Sequence, residues 1–238
     1  MKSGKNFARQ LFIALFALTI TTPCSAELPT VEPGATMPVK TERAWNEMNK
    51  EKEEALSLKG NQLRGSFAFE ICQDCHRSDA SGRVNGATPR LAGQHATVLI
   101  KQMTDIRTGI RDNPKMALIL ADHILLPRDI ADIAAYLQSL PVPTIIGQGP
   151  GTALERGEEI YGKDCANCHG DIGEGKGEKF YPMVASQHYK YLLREMIFMR
   201  NETRLNANPK MVKAVKEYNE ADLEAVADYM SRLTVPGK

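Results

Sequence analysis

The pentapeptide Cys72-Gln73-Asp74-Cys75-His76 has a counterpart later in the chain, Cys165-Ala166-Asn167-Cys168-His169. In each copy two cysteines stand two residues apart, and a histidine directly follows the second. This spacing is typical of haem c attachment, in which the thiols add to the haem vinyl groups and the imidazole binds the iron. The motifs therefore predict two covalently bound haem c groups, with Cys72, Cys75, Cys165 and Cys168 as attachment residues and His76 and His169 as axial iron ligands.

The two motifs belong to a longer internal repeat, in which Cys72 and Cys165 are 93 positions apart. Five further features recur: a glycine and an aromatic residue before the motif, a proline 13 residues after the histidine, a Gln-His pair, an Asn-Pro-Lys-Met sequence and a late tyrosine. The first copy has Gly65, Phe69, Pro89, Gln94, His95, 113–116 and Tyr136, and the second has Gly157, Tyr161, Pro182, Gln187, His188, 208–211 and Tyr229. Self-similarity at a fixed offset indicates duplicated units. The sequence predicts two homologous domains, 62–140 and 152–238, joined by a Pro- and Gly-rich linker at 141–151.

Both copies show apolar residues at helical spacing, and no stretch alternates as a half-buried strand does. Leu99, Met103 and Ile106 predict a helix over 96–107, and the second copy repeats the pattern. A closing helix is predicted over 129–140. The expected fold class is all-α.

The chain starts with features of a secretory signal peptide. Lys2, Lys5 and Arg9 precede an apolar run at 11–20, and small residues end the segment at Ala26. Ten apolar residues are too few for the roughly 20 that a membrane anchor needs. We predict a signal peptide at 1–26, periplasmic localisation and no transmembrane span after cleavage. Loss of three cations would change the formal net charge from +1 to −2, which does not favour nucleic-acid binding.

An N-terminal extension follows at 27–61. Thr41 is a plausible N-cap and Gly60 a plausible stop, so a charged helix is expected over 41–59. The favoured interpretation is that this helix packs against the first domain. The alternative is that it docks a partner, because it carries Trp45, the only tryptophan of the chain.

The sixth iron ligand decides whether a haem is closed to substrate. Met116 and Met211 recur after Asn-Pro-Lys, where the proline should keep the segment out of a regular helix and let the thioether point inward from a loop. His95 and His188 also recur, so bis-histidine ligation is the alternative. Met103 and Met196 correspond as well, but they lie on an apolar helical stripe and are expected in the core.

Cys-x-x-Cys also occurs in zinc ribbons and in thiol redox pairs. A zinc ribbon needs its cysteine pairs about 15 to 20 residues apart, and a thioredoxin-like thiol pair needs a βαβ context that the pattern lacks. Neither alternative explains the adjacent histidines.

The motifs, in this order and twice over, resemble the dihaem class I cytochromes c of the cytochrome c4 type. The resemblance covers about residues 62–235 and implies two all-α cytochrome c domains related by a pseudo-twofold axis, with His/Met ligation and propionates near the domain interface. It also implies that the carbonyl groups of Pro89 and Pro182 accept a hydrogen bond from the proximal imidazoles. The chain departs from the pattern at Arg77, where glycine is usual, at Val184 and Ser186 in the second copy, and in the extension.

For such a protein the resemblance implies an electron carrier that is not an enzyme. Its expected partners are redox proteins, either a membrane respiratory complex or a terminal oxidase. The alternatives are a haem subunit of a larger dehydrogenase or oxidase complex, or a dihaem enzyme that reduces peroxide or oxidises thiosulfate.

Overall fold

The structure, a computed structural model, describes residues 42–237. The predicted signal peptide and the first part of the extension lie outside these residues. Within the described range there are eleven α-helices: α1 Lys50–Ser57, α2 Gln62–Ala68, α3 Gln73–His76, α4 Ala96–Arg107, α5 Pro114–Ile119, α6 Pro127–Ser139, α7 Leu154–Ile160, α8 Ala166–His169, α9 Tyr189–Arg200, α10 Pro209–Lys216 and α11 Glu220–Arg232.

The prediction of an all-α fold is confirmed. Between residues 42 and 237 the only β-type pairing is an isolated bridge between Lys176 and Tyr181. The helix predicted over 96–107 is α4, and the predicted closing helix is α6, which begins two residues earlier, at Pro127. None of the helices in the described range has the length and apolarity that crossing a bilayer would require.

Each copy is built on a pair of helices that cross at a glycine, α2 with α6 and α7 with α11. A Cβ atom on Gly65 would lie 2.0 Å from the carbonyl oxygen of Asp132, and one on Gly157 would lie 2.2 Å from that of Ala225. No other residue allows the backbones to approach so closely. Next to each crossing two aromatic rings pack together: Phe69 with Tyr136, and Tyr161 with Tyr229.

The second copy has one more residue than the first between this glycine and the first cysteine. The first copy reaches Cys72 through a 3₁₀ turn, Phe69–Cys72, whereas the second reaches Cys165 through a π-helical turn, Tyr161–Cys165. A π turn holds an extra residue without breaking the helix. The insertion is therefore absorbed before the motif, and the two motifs keep equivalent positions.

Each copy has its own hydrophobic core, formed mainly by the faces of its helices that the apolar pattern predicted. In the first copy the core includes Leu99, Met103 and Ile106, and in the second it includes Leu192, Met196 and Met199. The two methionines expected in the core, Met103 and Met196, are indeed buried there.

The prediction of a helix over 41–59 was wrong at its start. Residues 42–49 are not helical; α1 begins at Lys50, with the Asn49 side chain as its N-cap, and ends at Ser57. Asn49 is the N-cap because its carboxamide oxygen accepts a hydrogen bond from the Lys52 N–H at 2.9 Å, as preferred N-cap residues do. Trp45 therefore lies before the helix.

The favoured interpretation, that the helix packs against the first domain, is confirmed. Helix α1 buries Lys52 and Ala55 against α4 and α6. The segment before it also reaches the second copy, where the Ala44 N–H donates to the Leu205 carbonyl at 3.1 Å and Arg43 pairs with Glu202 at 3.2 Å. The extension thus contacts both copies.

Candidate functional site

Short helical turns place the two Cys-x-x-Cys-His motifs. Cys72 ends a 3₁₀ turn and is followed at once by α3, which carries Cys75 and ends at His76. In the second copy a π turn leads to Cys165, and α8 carries Cys168 and ends at His169. A helical turn brings residues three apart to the same side of the chain. In each copy both sulfurs and the imidazole therefore belong to one surface.

The motif histidines are buried, and each is held by a proline carbonyl. Nδ1 of His76 lies 3.3 Å from the carbonyl oxygen of Pro89, and Nδ1 of His169 lies 2.9 Å from that of Pro182. Each Nδ1 must carry the proton to donate this bond, which leaves Nε2 as a lone-pair donor. Among residues 42–237 neither Nε2 atom has a hydrogen-bond partner, as expected of an iron ligand. Burial lowers the pKa of both histidines, so that the neutral form that binds metal is favoured.

The four motif thiols are unpaired in the structure. Burial raises the pKa of Cys72 to about 11, and burial together with the charge of Asp164 raises that of Cys165 to about 12. A thiol redox pair shows the opposite shift. In the part of the chain that is described, no three His, Cys, Asp or Glu side chains converge as a metal site requires. The raised thiol pKa values do not fit a thiol redox pair.

Met116 and Met211 lie in equivalent places, but not in loops as expected. Each is the third residue of a short helix, α5 or α10, which begins at the proline of the Asn-Pro-Lys-Met sequence. Proline is well suited to the first helical position, because the N–H that it lacks would have no partner there. The asparagine before it caps the helix. Both methionines are half-buried and pack against the core of their own copy.

His95 and His188, the alternative axial ligands, lie at the interface between the copies. Nε2 of His95 is 2.8 Å from the carbonyl oxygen of Glu174, and Nε2 of His188 is 2.8 Å from that of Ser81. Nδ1 of His188 also accepts from the Gly147 N–H at 3.1 Å. These contacts engage Nε2 of both histidines and Nδ1 of His188 within the interface.

The neighbouring glutamines cross the same interface. Gln187 accepts from the Arg90 N–H at 2.9 Å and donates to the Arg90 carbonyl at 3.0 Å. Gln94 makes the same two bonds with Met183, at 2.9 and 3.0 Å. These bonds and the two histidine contacts are reciprocal, as an approximate twofold relation between the copies requires.

Arg90 adds a contact that has no counterpart in the second copy. Its buried guanidinium donates to the carbonyl groups of Ala185 and Ser186, each at 2.8 Å, and to that of Ala92. The sequence pattern had pointed to the Gln-His pairs by their recurrence, but it gave no sign that they join the two copies. Arg90 does not recur, and no pattern could have singled it out.

Comparison with known proteins agrees with this geometry. The cytochrome c family model matches residues 62–141 and again residues 154–234, which together make up more than half of the chain. The chain belongs to the cytochrome c family.

This cytochrome is similar to several curated proteins and solved structures. It is 33% identical over 176 residues to a thiosulfate dehydrogenase electron acceptor from Stutzerimonas stutzeri, covering 70% of this chain and 80% of that protein. It is 30% identical over 184 residues to cytochrome c4 from Pseudomonas aeruginosa, covering 73% and 89%. Among solved structures, reduced cytochrome c4 from Pseudomonas stutzeri matches with a TM-score of 0.67 and 25% identity over 74% of this chain and all of that chain.

The cytochrome is thus of the dihaem c4 type, an electron carrier with two covalently bound haem c groups. The donor set suits this cofactor: each copy offers two thiols, an imidazole whose Nδ1 is already engaged, and a half-buried thioether. The predictions of family, fold class and cofactor are confirmed.

Proposed function

We propose that this dihaem cytochrome is a periplasmic electron shuttle in which both irons have histidine and methionine as axial ligands. Cys72, Cys75, Cys165 and Cys168 hold the haems as thioethers. His76 and Met116 ligate the first iron, and His169 and Met211 ligate the second. Bound haem supplies one-electron chemistry, and a thioether as sixth ligand closes the iron to substrate and raises its potential.

The observation that carries this proposal is the repeated donor set. In both copies a proline carbonyl fixes the tautomer of the motif histidine, and an asparagine-capped helix presents a methionine in its first turn. A carbonyl partner on the second ring nitrogen is what orients a metal-binding imidazole. An enzyme would need one open or labile iron, and the donor sets of the two copies match.

The test is a spectroelectrochemical titration of the holoprotein with near-infrared detection. We expect two haems per chain and a methionine-to-iron band in the oxidised form. Met116→His and Met211→His should each remove about half of that band. Met103→Leu and Met196→Leu are matched controls, because these methionines also recur but are buried in the cores; both should leave the band intact. A methionine-to-iron band that survives in the double Met116→His, Met211→His variant would refute the proposal that these two methionines ligate the irons.

For the electron donor we propose a thiosulfate-oxidising dehydrogenase. The support is the relative named as an electron acceptor of thiosulfate dehydrogenase, which is similar along 80% of its own length. Mixing the oxidised cytochrome with a purified thiosulfate dehydrogenase should reduce both haems only when thiosulfate is present. Reduction without the dehydrogenase would instead support the alternative that this chain oxidises thiosulfate itself.

The acceptor that we propose is a terminal oxidase or another membrane respiratory complex. Oxidase-containing membranes should reoxidise the reduced cytochrome, whereas added peroxide should not be turned over. Rapid peroxide consumption would favour a dihaem peroxidase. Stable co-purification with a dehydrogenase or oxidase would favour a resident haem subunit over a shuttle.

Periplasmic localisation rests on the leader sequence at 1–26. N-terminal sequencing of the mature holoprotein should begin at Glu27, and cell fractionation should place haem-stained protein with periplasmic markers. An intact Met1 in the holoprotein would contradict cleavage.

A further inference from the structure

The glutamines that join the two copies act on the same peptide groups that hold the motif histidines. In the first copy this group is the peptide bond between Pro89 and Arg90. Its carbonyl oxygen lies 3.3 Å from Nδ1 of His76, and its N–H donates to Oε1 of Gln187 at 2.9 Å. This single planar amide therefore contacts His76 of its own copy through its oxygen and Gln187 of the opposite copy through its N–H.

The second copy repeats this arrangement with the partners exchanged. The carbonyl oxygen of the peptide bond between Pro182 and Met183 lies 2.9 Å from Nδ1 of His169. The N–H of the same peptide group donates to Oε1 of Gln94 at 2.9 Å. Each motif histidine is thus connected, through one peptide group, to a glutamine of the opposite copy.

A peptide group transmits polarisation because its nitrogen, carbon and oxygen are conjugated. A hydrogen bond accepted by the glutamine oxygen from the N–H draws electron density toward the carbonyl oxygen, and hydrogen bonds in such a chain strengthen one another. A stronger acceptor at Nδ1–H makes the imidazole more basic at Nε2. A more basic imidazole stabilises the ferric state.

We propose that Gln94 and Gln187 are positioning residues that tune the iron of the opposite domain, Gln94 acting on the His169 site and Gln187 on the His76 site. This inference rests on the proposed function, because it takes His76 and His169 as iron ligands. Both glutamine side chains are buried, with 6% and 4% of their surface exposed. Water therefore does not replace these bonds when the side chain is changed.

The hydrogen bond between the motif histidine and the proline carbonyl differs in length between the two copies. The bond from Nδ1 to the carbonyl is 2.9 Å at His169 and 3.3 Å at His76. Because a shorter bond couples the imidazole more strongly to its acceptor, a change at Gln94 should have the larger effect.

The experiment is a redox titration of the holoprotein followed by NMR, with the haem signals assigned to domains through the Met116→His and Met211→His variants. Gln94→Met removes the acceptor and should raise the potential of the second-domain haem. At fixed potential its ratio of reduced to oxidised haem should rise by roughly 2- to 10-fold, the size expected for one neutral hydrogen bond. Gln187→Met should raise that ratio for the first-domain haem instead, by a smaller factor.

Two further variants separate tuning from a loosened interface. Thr97→Val removes another bond between the copies, from Thr97 Oγ1 to the Gly177 carbonyl at 2.6 Å, and should leave both potentials unchanged. Gln94→Glu keeps an oxygen acceptor for the Met183 N–H, and should return the second-domain haem to the wild-type potential or below it.

The outcomes distinguish this inference from the proposed function. A shift of the haem potential in the domain opposite each glutamine substitution supports the tuning. Shifts in the domain that carries the substitution, equal shifts in both haems, or none would overturn it while leaving His/Met ligation intact. A wild-type protein without the near-infrared methionine band would overturn the proposed function itself.

Discussion

The ammonium group of Lys52 donates to the carboxylate of Asp105 at 2.6 Å, and both side chains are completely buried. Nζ of Lys101 lies 2.5 Å from the other carboxylate oxygen of Asp105. The same ammonium group lies over the ring of Trp45, 4.4 Å from the ring centroid. One carboxylate of the first domain therefore sits between a lysine of the extension and a lysine of its own helix.

Asp105→Asn should strongly destabilise the protein, because it leaves two buried lysines without the carboxylate that both contact. Removal of one partner from a buried ion pair costs about 3–5 kcal/mol, and denaturant unfolding of the holoprotein would measure it. Glu159→Gln is the matched control, since its pair with Arg156 is largely exposed and should contribute less than about 1 kcal/mol. Equal effects of the two substitutions would contradict the role of burial.

Stability should also depend on pH through Lys101. Burial lowers the pKa of Lys101 from 10.5 to about 8, against the attraction of Asp105. Between these two values the unfolded chain binds more protons at this position than the folded one, so the free energy of unfolding rises with pH. Compared with Lys101→Met, the wild type should therefore gain stability from pH 8 to pH 10. Parallel curves for the two proteins would show that Lys101 does not titrate in this range.

Gly65→Ala should lower the free energy of unfolding by about 1–3 kcal/mol, the usual cost of overpacking a tight contact. The new methyl group would lie against the carbonyl of Asp132, where α2 and α6 cross. Gly162→Ala is the control, because a Cβ there meets no atom of the described residues within 4 Å. That variant should be neutral or slightly more stable. Thermal unfolding of both variants checks the difference.

Arg77→Gly should stabilise the first domain. Arg77 has φ 68° and ψ 159°, a conformation that favours glycine, and strain of this kind costs about 1–3 kcal/mol in other residues. The added freedom of glycine in the unfolded chain offsets roughly 0.4–1 kcal/mol of this gain. In the second copy Gly170 already occupies this position with φ 85°. Gly170→Ala should therefore destabilise, and a loss of stability in Arg77→Gly would contradict the argument.

The sequence was sufficient to predict the haem motifs, the duplicated all-α fold and the helix over 96–107, because each depends on local spacing or on recurrence. The predictions from the sequence failed where competition between nearby residues decided where a helix starts. Asn49 caps α1 in preference to Thr41, and Pro114 starts a helix where we had expected a loop.

The contacts between the copies could not be predicted in the same way. The Gln-His pairs recur in the sequence, but their partners are backbone groups, and a backbone group leaves no residue type to recognise. Arg90 also bonds only to carbonyl groups through its side chain. These contacts to main-chain atoms therefore leave no recognisable pattern in a single sequence.

The extension has a consequence for the order of assembly. Ala44 and Arg43 are made before either domain, yet their partners, Leu205 and Glu202, lie in the second domain and are synthesised much later. Contacts so distant in sequence form late, because a long loop must close first. Residues 43 and 44 can take their final place only when the segment around Glu202 and Leu205 has folded, so their docking reports that the second domain is in place.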